Sequence, residues 1–103
     1  MRMPRLTKDD IAERLARLPD WAQAGDTITR TYQFKSFRQA VAFVGRVADA
    51  AEEADHHPDI DIRCRKVTLL LTTHDSGGLT ANDFDLAAAC DELSGNALAG
   101  GAR

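Results

Sequence analysis

The chain has 103 residues, with 13 Lys and Arg against 16 Asp and Glu, a formal net charge of −3 and 44% hydrophobic residues. That length gives one domain with a modest core, for which association is a natural supplement. The mild acidity excludes a broad basic nucleic-acid-binding face and a polybasic membrane-surface protein, and the hydrophobic content excludes a disordered chain.

Residues 1–5 read as a tail. Thr7 opens a first helix, with Asp9 and Asp10 in its first turn, where carboxylates suit the positive helix end. Ile11, Leu15 and Leu18 form a core-facing stripe, and Pro19 stops the helix. A short extended piece carries Trp21, and Gly25-Asp26 reads as a turn. From Thr27 to Phe34 the residues alternate, with Ile28, Tyr32 and Phe34 on one face of a half-buried strand. Ser36 with Gln39 predicts a capping box opening a helix that runs to about Ala54. Its stripe is Phe37, Ala40, Val41, Val44, Val47, Ala48 and Ala51, and Phe37, Phe43 and Phe84 read as core.

His56-His57-Pro58 breaks that helix. Ile60, Ile62 and Cys64 alternate with Asp61, Arg63 and Arg65 in a strand whose apolar side faces inward. Val67 to Thr73 forms another strand, and Asp75-Ser-Gly-Gly a turn. Thr80 with Asp83 caps a last helix bearing Phe84, Ala87, Ala88, Asp91 and Leu93, and Ser94 to Arg103 reads as a flexible tail. The close spacing of the strands excludes parallel crossovers. The expected fold is α+β: one domain with helices packed on one face of an antiparallel sheet. The other face would be Thr-rich, and a second subunit would cover part of it or a sheet edge.

No apolar run reaches the roughly 18 residues of a membrane span, and the N-terminus lacks the apolar segment of a secretory signal. Cys64 and Cys90 form no CxxC pair, so two free thiols in a cytoplasmic protein are expected. Burial among inward-facing residues sets Cys64 aside as a nucleophile. There is no phosphate-binding glycine loop and no Gly-x-Ser-x-Gly elbow.

All three histidines fall between positions 56 and 74, at ends of elements, where reactive groups are usually held. His56 follows a helix C-terminus and has Glu52 and Asp55 nearby, a setting that favours imidazolium and suits proton donation to a leaving hydroxyl. The plainer alternative is that His-His-Pro caps the helix, that His74 is an ordinary strand-end residue and that Asp83 is a first-turn carboxylate. A metal site is disfavoured, because adjacent extended histidines point apart and no ligand-spacing motif is present. Trp21 reads as core as readily as a ligand platform.

Three stretches tilt this balance: Glu52-Glu-Ala-Asp-His-His-Pro, Lys66-Val-Thr-Leu-Leu-Leu-Thr-Thr-His and Gly78-Leu-Thr-Ala-Asn-Asp. With Trp21, Tyr32-x-Phe34-x-x-Phe37, Gln39-Ala40 and Phe43 upstream, the sequence over about residues 7–93 closely resembles the pterin-4a-carbinolamine dehydratase family. The resemblance implies a four-stranded antiparallel sheet with three helices on one face, and assembly as a homodimer or a homotetramer. It implies a hydro-lyase that removes water from 4a-hydroxytetrahydropterin to give quinonoid dihydropterin. That step recycles the cofactor of aromatic amino acid hydroxylases, with the pterin as substrate and no metal or organic cofactor. It implies His56 and His74 as the catalytic acid–base pair and His57 as a catalytic, pterin-orienting residue. Trp21, Glu52, Pro58 and Asp83 are implied to help bind the substrate. Cys64 and Ile60 stand where the family usually has aromatic residues. The resemblance leaves two alternatives: a non-enzymatic interaction module, since an animal member stabilises a homeodomain factor's dimer, and a related pterin activity in molybdopterin metabolism.

Overall fold

The computed structural model describes residues 4–95, 97 and 98. In chain order it contains α1 (Lys8–Ala16), β1 (Ala22–Ala24), β2 (Thr27–Gln33), α2 (Phe37–Ala54), β3 (Asp59–Arg63), β4 (Lys66–Leu71), a 3-10 turn (His74–Ser76) and α3 (Ala81–Leu93). The strands form one antiparallel sheet in the order β1-β2-β4-β3. The register sets Ile28 opposite Leu71 and Tyr32 opposite Val67, so the buried residues of the two central strands share one face. The helices cover that face, and the expected α+β architecture is the observed one.

Caps set the helix starts. Thr7 Oγ1 accepts from Asp10 N–H at 3.1 Å, and Ser36 Oγ accepts from Gln39 N–H at 3.1 Å. The box expected at Ser36 closes one residue out of place, because Gln39 Oε1 takes the N–H of Lys35 at 3.2 Å. At the far end of α2, Asp55 adopts a left-handed conformation at φ +50°. Its N–H bonds Glu52 O at 3.2 Å, and His56 N–H bonds Ala51 O at 3.0 Å. This is a Schellman ending, in which an Asp takes the position usually given to Gly. It turns the chain sharply and fixes where His56 leaves the helix.

The core is built on Ile28, Tyr32, Phe34, Phe43, Val47, Val67, Leu69 and Leu71, all essentially fully buried. Phe43 sits between two rings, 4.7 Å from Tyr32 and 5.1 Å from Phe34 between centroids. A polar cluster ties α3 to this layer. Asp91 Oδ1 accepts from Trp21 Nε1 at 3.0 Å and Arg30 Nη1 at 2.8 Å, and also from the Tyr32 hydroxyl. Burial, and next the bond to Asp91, push the Tyr32 phenol well above its ordinary range.

Three expectations are corrected. Phe37 is 57% exposed rather than core, and Val41 is also exposed. Both lie roughly a quarter turn round α2 from the Ala40, Phe43, Val47 and Ala51 stripe that meets the sheet. Ile60 and Ile62 are each 38% exposed, because β3 is an edge strand that the helix layer does not fully cover. Cys64 is exposed, since the Arg63–Lys66 pairing closes the hairpin and leaves it in the turn at φ +54°. Next to the expected N-terminal tail, Leu6 N–H bonds Leu79 O at 2.9 Å, and within the expected C-terminal one Leu98 N–H bonds Gln33 O at 2.7 Å. The rest of the tail assignment, at residues 1–3, 96 and 99–103, lies outside the described residues. No described helix is long and apolar enough to cross a membrane.

The two thiols are predicted to behave oppositely. Burial, and then the Asp91 carboxylate, push the Cys90 thiol up to about 12, so near pH 8 it stays protonated as well as shielded. A thiol-reactive dye at pH 8 should therefore label Cys64 promptly, and Cys90 only after denaturant is added. Two prompt equivalents in the native protein would contradict this burial.

Candidate active site

The sheet and helices bring three chain ends together. His56 and His57 follow the Schellman ending of α2, His74 opens the 3-10 turn after β4, and Asp83 sits in the first turn of α3. The turn between β4 and α3 is held tightly. Thr73 and Gly78 exchange backbone hydrogen bonds at 3.2 and 3.3 Å, and Gly77 takes φ +72°. A Cβ at Gly78 would lie 3.0 Å from Arg5 Nε, so the Arg5 side chain would have to shift to admit one. The result is an open cleft of about 250 Å³ lined by Asp55, His56, His57, Thr72, Thr73, His74 and Asp75.

Asp83 organises it. The carboxylate is fully buried, so its lone pairs need partners. Oδ2 accepts the Thr80 N–H at 2.9 Å and the Thr73 hydroxyl at 2.8 Å. Oδ1 meets His56 Nε2 at 2.6 Å. The first-turn capping role expected of Asp83 falls to Oδ2, and Oδ1 is left to hold His56. The His56 side chain is 11% exposed, sealed on one side by this contact and open to the cleft on the other.

His57 is held differently. Its Nε2 pairs with Glu52, but both side chains are largely exposed, so this pair adds little to stability. No side-chain hydrogen bond holds His74 among the described residues, and its side chain is exposed at the cleft. Pro58 leads the chain into β3 and does not line the cleft. Trp21 is buried and bonds Asp91, eight residues further along α3 than Asp83, so it stands with the core rather than with the histidines. Cys64 and Ile60, the two departures from the family pattern, also lie away from the cleft.

Sequence reasoning missed Thr72, Thr73 and Asp75. They follow β4 as ordinary strand-end and turn residues, and only a hydroxyl directly before His74 hints at Thr73. A larger groove, about 480 Å³, runs between α2 and α3 past Glu53, Asn82 and Asp85, but it contains no histidine.

Removing the central acceptor should be costly. In Asp83→Ala the Thr80 N–H and Thr73 hydroxyl lose a buried partner, which predicts a loss of about 1–3 kcal/mol in urea unfolding. Glu52→Ala should change stability by about 0.5 kcal/mol or less. Equal effects from the two variants would contradict the distinct settings of the two pairs.

Comparison with known proteins places this geometry. The family model described as pterin 4 alpha carbinolamine dehydratase matches residues 4–93. A relative from Chloroflexus aurantiacus, provisionally named a pterin-4-alpha-carbinolamine dehydratase, is 57% identical over 90% of this chain and all of its own length. One from Nocardia farcinica, named in the same provisional way, is 57% identical over 86% of this chain and 94% of its own. Among solved structures, a transcriptional coactivator/pterin dehydratase from Brucella melitensis has a TM-score of 0.85 at 33% identity, covering 88% of this chain and 99% of that one. A pterin dehydratase-like protein described as a RuBisCO assembly factor in the alpha-carboxysome has a TM-score of 0.61 at 25% identity, covering 74% and 88%. The match extends from the N-terminal arm to the end of α3 and takes in every histidine of the cleft: the chain belongs to the pterin 4 alpha carbinolamine dehydratase family.

Proposed function

We propose that this protein dehydrates 4a-hydroxytetrahydropterin to quinonoid dihydropterin and water, recycling the pterin spent by an aromatic amino acid hydroxylase. The observation that carries the reading is the convergence of His56, His57 and His74 on one small cleft, with two of the rings braced by carboxylates. Family membership supports it. The cleft volume is near the lower end for small-molecule sites and suits a compact polar ring system.

The chemistry follows from the substrate. The carbinolamine carbon bears a hydroxyl and a ring nitrogen. Protonation of the hydroxyl lets it leave as water while the nitrogen lone pair forms the new double bond, and loss of a ring proton completes the quinonoid product. His56 and His74 serve as the acid–base pair, and His57 orients the pterin. Asp83 and Glu52 act through the imidazoles they hold, while Trp21 and Pro58 shape the frame. Positioned acid–base groups contribute on the order of 10²–10⁴-fold. The pterin is the substrate, and these steps call on no further cofactor.

The expected result is that the protein accelerates disappearance of chemically generated 4a-hydroxytetrahydropterin in rapid-mixing absorbance experiments. The acceleration should fall at least ~10-fold in His56→Ala and in His74→Ala. A folded wild-type protein indistinguishable from buffer would overturn the reading and favour the interaction module.

Exposed Phe37 and Val41 on α2, with Ile60 and Ile62 on the edge of the sheet, favour self-association as a dimer or tetramer. Light scattering should give two or four times the chain mass, reduced by Val41→Glu or Ile62→Glu. A monomer at all concentrations would contradict this assembly.

A further inference from the structure

The proposed reaction does not say which nitrogen of His56 faces the substrate, nor what holds it there. We infer that Thr73 is a positioning residue whose hydroxyl, acting through Asp83, presents Nδ1 of His56 to the reacting pterin; the inference rests on the dehydratase reading.

Protons and lone pairs decide which nitrogen is free. A carboxylate has only lone pairs to offer, so the Thr73 hydroxyl, 2.8 Å from Asp83 Oδ2, donates its one proton there. The Thr73 oxygen is then left to accept. Thr80 Oγ1 lies 2.9 Å from it and donates, while itself accepting the N–H of Asn82 at 3.2 Å. The chain of hydrogen bonds therefore runs in one direction, from the first turn of α3 through Thr80 and Thr73 to Asp83. With the Thr80 N–H also on Oδ2, that oxygen has two donors. Oδ1 remains for His56 and requires a proton on Nε2. A neutral imidazole protonated at Nε2 carries its lone pair on Nδ1. Thr73 also immediately precedes His74, and its backbone is pinned to Gly78. One residue thus fixes the carboxylate behind one proposed acid–base group and the backbone that carries the other.

Neither Thr73 nor the nitrogen assignment is visible from the three-histidine pattern. The test compares Thr73→Ala with Thr73→Ser, two variants that differ by a single hydroxyl. If the hydroxyl positions His56, kcat in Thr73→Ala falls about 10- to 100-fold with KM within about twofold, and Thr73→Ser restores most of it. The second readout is independent of activity. In proton NMR, the downfield His56 Nε2–H signal should persist in wild type and Thr73→Ser, and should broaden into water exchange in Thr73→Ala. Unchanged kcat in Thr73→Ala, or an equal loss in both variants, overturns the inference. So does a His56 signal carried on Nδ1–H in the wild type. A wild type without activity but with the Nε2–H signal following the hydroxyl would overturn the dehydratase reading alone and leave the Thr73–Asp83–His56 linkage standing.

Discussion

A single fully buried carboxylate, Asp83, holds the cleft together by using its two oxygens for different purposes. Oδ2 satisfies the start of α3 and the hydroxyl of Thr73, and Oδ1 holds His56. Burying such a group is costly unless every lone pair is engaged. The engagement is what couples folding to the site, because the bonds that cap α3 also orient the imidazole. A helix cap on a surface would leave the same residue free to move. Here the cap has no exposure, and its geometry passes directly to His56.

The same helix is secured a second time at its other end. Asp91 collects Trp21, Arg30 and Tyr32, three residues from the first part of the chain. Arg30 also reaches Asp20 at 3.5 Å and stacks 4.2 Å over the Tyr32 ring. With both ends tied by carboxylates, α3 is a fixed reference against which α2 and the turn after β4 are placed. The left-handed Asp55 then turns the chain out of α2 at the point that delivers His56 and His57 to the cleft. The ends of rigid elements thus carry the histidines: His56 and His57 follow α2, and His74 opens the short turn after β4.

The order of elements was legible in the sequence because their signals are local. Thr7, Ser36 and Thr80 announce helix starts, and Ile28, Tyr32 and Phe34 declare a strand by their period of two. The histidine cluster was legible as a pattern, and so was Asp83. What could not be read was which apolar residues the helix layer would leave open. Phe37 and Ile62 carry core-like side chains, and their exposure depends on the edge position of β3 and on the rotation of α2, both set by long-range packing. Cys64 was misplaced because a hairpin turn begins one residue before the alternation ends. Asp91 and Thr73 were illegible for a related reason. The partners of Asp91 lie 59 to 70 residues away in the chain, and the role of Thr73 depends on which of its neighbours donates.

On the proposed dehydratase reading, the histidine cleft ordered by Asp83 is where the protein meets a pterin. An NMR titration of the isotopically labelled protein with a stable 7,8-dihydropterin tests it most directly. Saturable shifts are expected in the imidazoles of His56, His57 and His74 and in the amides of Thr72 and Thr73. Saturable shifts confined to the groove around Ala50, Asp85 and Leu86, or none at ligand concentrations in the millimolar range, would contradict it.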